Sequence, residues 1–327
     1  LSGPLSDWVF GDSEFQPYFA LYAITPLLVF SYCSSIALMR ANNRFAMITS
    51  VEVLYGLALL LGNLYLVSTD ATWDAFLYWN IVASAIRGSL LLTYFLFCFA
   101  KLNLRFIVSR QTIAYIKDFA SGMMLMFTST ASFVVKTAHM QLDTILLGHL
   151  FGPAASGAYK LARSFTQLLA FPTNALFQVS FPEFVQLLHK NQVDKFKRVV
   201  KKLILVTLAV SLVYWLGSVS IAPLLIPLLL GDSYGVTAEL LPILVFGLSI
   251  TMLSQYWHSA LVAVNNAGQV AISMLIALVG QISMLLIVAP ILGIKAAAAA
   301  FVFYSLIRAL LLFSKFKKFV LNKNLGS

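Results

Sequence analysis

Lys136, His139 and Asp143 stand at i, i+3 and i+7, and Lys160, Arg163 and Gln167 repeat that spacing further along the chain. On a helix each trio occupies one face. A short link around Gly152-Pro153 makes the two helices antiparallel neighbours, so the polar faces can meet, with Asp143 held between Arg163 and Lys136 or Lys160. Two readings follow. In the first, Lys136, Lys160 and Arg163 line a cationic cavity that attracts phosphate oxygens, while His139, Asp143 and Gln167 form an ion and hydrogen-bond network between the helices. In the second, the same groups make an interhelical ion pair that sets the register, and Lys160 snorkels outward.

Three more ionisable residues fall inside apolar runs: Arg87, Arg308 and Glu52. Guanidinium forks suit phosphate, so Arg87 and Arg308 join the candidate substrate-binding cations, although a mid-helix Arg can equally bind carbonyls or a neighbouring polar group. Glu52 and Asp143 are the candidates for proton or sodium coupling, with a structural hydrogen bond as the competing role for Glu52. Five intramembrane cations against two anions suit an anionic passenger better than a cationic one. No catalytic or metal chemistry competes for these residues. His189 and His258 lack partners at ligand spacing, Cys33 and Cys98 lie apart in apolar runs, and GxxxxGK[ST] and HExxH do not occur. The expectation is a non-enzyme without cofactor or metal.

The elements that carry these residues must lie in lipid. The 327 residues are 60% hydrophobic and 10% charged, with a mean hydropathy of +0.89, too few charges to cover a water-facing surface, where about 25% is usual. Apolar runs of spanning length recur at 17–39, 45–67, 75–100, 118–150, 156–183, 203–230, 237–261, 269–290 and 295–314, which predicts nine transmembrane helices. The formal net charge of +10 reflects topology, not nucleic-acid binding. Lys and Arg collect at 40–44, 101–117, 190–202 and 315–323, whereas the opposite loops carry acidic residues and Lys295. The positive-inside rule then puts the C-terminus in the cytoplasm. The stretch 190–202, with Phe196, Val199 and Val200 among its charges, reads as an amphipathic helix on the cytoplasmic leaflet.

The front of the chain also repeats in the back at an offset of 220 to 223. Gly11-Asp12-Ser13 falls on Gly231-Asp232-Ser233, Asn42-Asn43 on Asn265-Asn266, and Ser84-Ala85-Ile86-Arg87 on Ser305-Leu306-Ile307-Arg308. Six spans separate each element from its copy. An even number preserves orientation, so the copies are parallel six-helix repeats about an axis along the membrane normal. The expected lobes are 1–107, an incomplete N-terminal lobe of three full helices and a partial one, and 108–327, a six-helix C-terminal lobe. On this arithmetic about 110 residues precede Leu1 in an intact protein of twelve spans.

The segment from Gln141 to Phe184 carries a family resemblance. A helix bearing Asp143 is followed by Leu147-Gly148, then by Gly157, Tyr159 and Ala162 at the start of the next helix, and by Pro182 before the basic segment after His189. This pattern resembles the polysaccharide and O-antigen flippase branch of the multidrug/oligosaccharidyl-lipid/polysaccharide exporter superfamily. The resemblance implies a flippase that moves an undecaprenyl-pyrophosphate-linked oligosaccharide, an O-antigen or capsule repeat unit, across the bacterial cytoplasmic membrane by alternating access. The partners it implies are the polyprenyl-pyrophosphate-linked glycan, membrane lipid, H+ or Na+, and other glycan-assembly membrane proteins. Competing readings are a multidrug efflux antiporter of the same fold, a peptidoglycan-precursor flippase, and a membrane glycan polymerase or acyltransferase. A polymerase would want a sizeable outward loop or a paired acid site, and the sequence offers neither.

Overall fold

The computed structural model describes residues 45–101, 116–190, 192–264 and 266–318, together with positions 16–17, 36 and 39. The expected span at 17–39, Cys33, most of the first two repeat matches and the tail beyond Lys318 lie outside the described residues, as do the side chains of Cys98, Lys136 and His189. The chain divides into two compact units, Leu1–Ala114 and Tyr115–Ser327. Every element of the described residues is helical. Six of these helices are long and apolar enough to cross a bilayer, so the chain is an all-α polytopic membrane protein.

In the first unit, α1 (Phe45–Ser68) and α2 (Trp73–Lys101) form a hairpin that turns through Asp70. Val51 and Ile48 pack with Leu91, and Tyr55 Oη lies 3.2 Å from Ser84 Oγ. Gly62 admits the Trp79 indole onto the helix backbone, because a Cβ at that position would fall 2.1 Å from the ring. Small residues permit such close approach where lipid supplies no hydrophobic drive.

The second unit begins with α3 (Ile116–His189), which Gly152 divides into two arms, 116–151 and 153–189. Gly152 has φ 85° and ψ 174°, a conformation closed to residues with a Cβ, and Pro153 then opens the second arm with the fixed φ that a first helical turn accepts. There follow α4 (Val193–Ser220), α5 (Ala222–Leu230), a 3-10 turn (Asp232–Tyr234), α6 (Gly235–Ala263), α7 (Ala267–Leu292) and α8 (Lys295–Phe316). Helix α8 packs against both α6 and α7, and α3 lies across α6 and α7. The N-terminal alanines of α8 allow the close fit: Ala296, Ala297, Ala298 and Ala300 are fully buried against Leu240, Leu244 and Leu285. A second cluster, with Phe184, Phe196, Val200, Tyr256, Leu312 and Phe316, closes the other end of the same unit.

Two expectations need correction. The predicted span at 203–230 is two helices, α4 and α5, because Pro223 has no N–H to continue the ladder and the chain restarts at Ile221. The basic stretch at 190–202 is also no separate helix on the leaflet. From Val193 onward it forms the first turns of α4, and Phe196 and Val200 are buried in the protein core instead of in lipid.

Candidate functional site

One turn apart on the first arm of α3, His139 and Asp143 project from the same face, and Tyr159 and Arg163 do so on the second arm. The reversal at Gly152 brings the two faces together. Ser156 Oγ donates to the carbonyl of Thr144 at 2.9 Å and locks the arms near the turn. Deeper in, Tyr159 Oη donates to Asp143 Oδ2. The same oxygen accepts from Gln281 Nε2 on α7 at 3.4 Å, and Oδ1 accepts from the Thr144 N–H at 2.8 Å. Gln281 Oε1 lies 2.7 Å from His139 Nδ1. With the amide turned this way, Oε1 must accept, so His139 carries its proton on Nδ1.

Arg163 completes the hub. Its guanidinium sits 3.8 Å over the ring of Phe301 from α8 and interacts electrostatically with Asp143. The His139 ring stacks on Tyr304 at 3.5 Å and faces Phe301 at 5.6 Å. Asp143 is 1% exposed and Arg163 3% exposed. Tyr159, Gln281 and the Thr144 N–H hold the carboxylate directly, Phe301 backs the guanidinium, and the two opposite charges act on each other across the hub without a direct hydrogen bond, so loss of either leaves the other less compensated. The arrangement can pass a change of charge at Asp143 through the Gln281 amide to His139.

The other predicted residues lie elsewhere. Lys160 is half-buried and its Nζ donates to Gln141 Oε1 at 3.0 Å. Gln167 is exposed and does not reach the hub: each i+4 step carries a side chain about 40° further round the helix, so the second such step from Tyr159 leaves the buried face. Arg87 pairs with Glu52 at 3.4 Å in the first unit and lies 4.1 Å over the Tyr55 ring. Arg308, the repeat counterpart of Arg87, meets a polar row on α6. Its Nη1 donates to Ser254 Oγ at 3.1 Å and to the carbonyl of Thr251 at 3.4 Å, its Nη2 donates to Gln255 Oε1 at 2.8 Å, and His258 Nδ1 is 3.5 Å away.

Sequence reasoning missed two members of the hub. Tyr159 stood only in the family motif, without a role for its hydroxyl, and Gln281 was not singled out. Gln281 carries a signal all the same: it is an amide within an otherwise strongly apolar helix. The row that holds Arg308 is legible as Thr251, Ser254, Gln255 and His258, which share one side of α6. Arg308→Met should therefore lower stability by about 1–3 kcal/mol, because buried acceptors on α6 lose their donor. Arg308→Lys should recover only part of the loss, since one ammonium cannot span the acceptors that a guanidinium fork reaches. Thermal unfolding of the purified protein in detergent checks both.

Comparison with known proteins gives the class of this polytopic all-helical body, which buries Asp143 and Arg163 among its helices. Residues 1–239 match the family described as polysaccharide biosynthesis protein, and the chain belongs to that family, within the polysaccharide exporter superfamily. The "Probable flippase AglR" of Haloferax volcanii is 23% identical over 268 residues, which cover 79% of this chain and 52% of the relative. The chain thus spans about half the length of that curated relative. Two crystal structures of the Vibrio cholerae MATE transporter VcmN share the fold. A point mutant of that transporter aligns with a TM-score of 0.63 over 94% of this chain and 69% of that one, and the bent form with 0.59 over 96% and 70%. Both are 15% identical, a likeness of fold alone.

Proposed function

We propose that this protein is a flippase that carries an undecaprenyl-pyrophosphate-linked oligosaccharide, such as an O-antigen or capsule repeat unit, from the inner to the outer leaflet of the bacterial cytoplasmic membrane. Its C-terminus lies in the cytoplasm. Membership of the polysaccharide biosynthesis family supports the glycan, and the observation that carries the mechanism is the buried Asp143–Arg163 hub. An ionisable group in a span is costly and is kept where it meets a pathway, a partner or a passenger.

The hub suggests how cargo and ion are linked. While Asp143 is ionised, it holds the Arg163 charge; a proton on Asp143 frees that charge for a diphosphate oxygen. Proton binding at Asp143 and anion binding at Arg163 then favour each other, and linkage makes the effect reciprocal. Glu52 and Arg87 offer the same exchange in the first unit, where a diphosphate would compete with a carboxylate for a guanidinium. Lys160, half-buried and bonded to the neutral Gln141, and Lys136, a turn before His139, add to the cationic lining for an anionic passenger. Alternating access then exposes the loaded groups to one leaflet and the other in turn.

The direct test is transfer of an undecaprenyl-pyrophosphate-linked sugar in proteoliposomes, with and without an imposed pH gradient and with sodium varied separately. Transfer that responds to the pH gradient and falls at least tenfold in Arg163→Ala, a loss of about 1.4 kcal/mol of useful interaction, supports the reading. Absence of transfer by a folded, reconstituted protein would favour the drug-efflux or the non-transport readings instead.

A further inference from the structure

The first turns of α4 carry Lys195, Lys197, Arg198, Lys201 and Lys202, all exposed, on a helix that runs without a break into an apolar span. Their position is fixed from the inside. Phe196 and Val200 are buried against Phe184, Leu188 and Phe316, so the helix cannot roll its charges away from the surface. Lys197 and Lys201 lie on the same stripe as Leu205, Leu208 and Leu212, which are each more than half exposed. At 1.5 Å per residue the last lysine is only about one turn from the first of those leucines. This puts the basic turns at headgroup depth, directly beside the acyl chains.

A groove of about 330 Å³ opens at this level between α4 and the second arm of α3, lined by Glu183, Leu187, Lys195, Arg198 and Val199. Two cations on one wall, an aliphatic floor and a carboxylate on the other wall make a chemically divided site. The neighbourhood stays positive in spite of Glu183 and Asp194, because Lys190, Lys197, Lys201 and Lys202 surround it. The end of α8 adds Lys315, Lys317 and Lys318 to the same end of the unit, where Phe316 packs 6.2 Å from Phe196. Basic pockets between helices at a membrane surface bind anionic headgroups.

We propose that this groove is a binding site for an anionic phospholipid. Its phosphodiester lies between Lys195 and Arg198, its headgroup hydroxyls meet Glu183, and its acyl chains run along Val206 and Val213, the exposed apolar residues on the same stripe of α4. The site is separate from the hub and needs no cargo to fill it.

The test is native mass spectrometry of the whole protein released from nanodiscs that contain equal phosphatidylglycerol and phosphatidylcholine. The wild type should retain phosphatidylglycerol in several-fold excess. The double substitution Lys195→Gln, Arg198→Gln should lower that excess about tenfold, on the basis of the attraction each cation near the surface contributes. Arg198→Lys should keep most of it, and Lys295→Gln, in the exposed Glu239 pair at the other end of α8, should leave it unchanged. Retention without headgroup preference, or an equal loss in Lys295→Gln, would overturn the proposal. So would displacement of the lipid by millimolar inorganic phosphate, which would mark a plain anion site. Because no transport is read, failure here leaves the flippase reading where it stands.

Discussion

Asp143→Ala should abolish transfer and destabilise the second unit by about 2–4 kcal/mol, because buried donors lose their acceptor and a buried guanidinium loses the charge that offsets it. The loss has identifiable parts. Tyr159 Oη and Gln281 Nε2 lose their shared acceptor, and Arg163 keeps its charge at 3% exposure with the Phe301 ring as its remaining close contact. Asp143→Asn should be far milder for folding and nearly as severe for coupling. With the new amide oxygen in the place of Oδ2 it still accepts from both Tyr159 and Gln281, and the NH2 takes the place of Oδ1, opposite the Thr144 N–H. The folding cost is then mainly the acceptor that the Thr144 N–H loses, while a side chain that cannot ionise can no longer take part in proton coupling. A third variant separates stability from function. Asp143→Leu combined with Arg163→Met removes both charges together and should recover most of the lost stability, since apolar replacements of a buried pair are often neutral or better. It should still transfer nothing. Thermal unfolding followed by tryptophan fluorescence, beside the proteoliposome assay, distinguishes the three. Full transfer by Asp143→Asn irrespective of the pH gradient would remove Asp143 from the coupling scheme.

These variants also mark how far sequence reasoning reached. His139, Asp143 and Arg163 could be placed on facing helix surfaces from spacing alone, because helical periodicity and a short Gly-Pro link are local properties. Gln281 could not: its approach to Asp143 depends on how α7 packs across α3, and a separation of 138 residues leaves no trace in local pattern. Gln167 shows the complementary failure. At about 100° per residue it lies about 20° from Lys160 but about 80° from Tyr159, so the i, i+7 pair shares the outer side of the arm and not the hub face. Span positions at 45–67, 75–100, 237–261, 269–290 and 295–314 were legible to within a few residues, as hydropathy dictates. The start of α4 was not, because its first turns are basic outside and apolar inside. Burial of Phe196 against Phe184 and Phe316 is a tertiary fact that an amphipathic pattern alone cannot tell from contact with lipid.

Gly247 offers a lever on the hub from outside it. A Cβ built there would lie 2.8 Å from two ring carbons of Phe301 and 3.3 Å from the Cα of Val302. The first contact could be relieved by rotation of the ring, but the second is backbone, so α6 and α8 must part for even a methyl group. Gly247→Ala should cost about 1–3 kcal/mol through overpacking, and Gly247→Val more, since a second branch meets the same backbone. Gly280 provides the internal comparison. Its Cβ would meet Ile307 Cδ1 at 2.7 Å, the tip of a flexible side chain, with Phe303 next at 3.5 Å. There the neighbour can yield, and the gain in helix propensity, about 1 kcal/mol for Gly to Ala, offsets the contact. Gly280→Ala should therefore melt close to the wild type while Gly247→Ala melts well below it. The consequence for function follows from what Phe301 touches. Its ring carries the Arg163 guanidinium on its face and stacks near His139, so a displaced Phe301 moves the cation relative to Asp143 without altering any hub residue. Gly247→Ala is expected to reduce transfer more than its loss of folded protein explains, and a transfer rate per folded molecule equal to that of Gly280→Ala would show that the hub tolerates the shift.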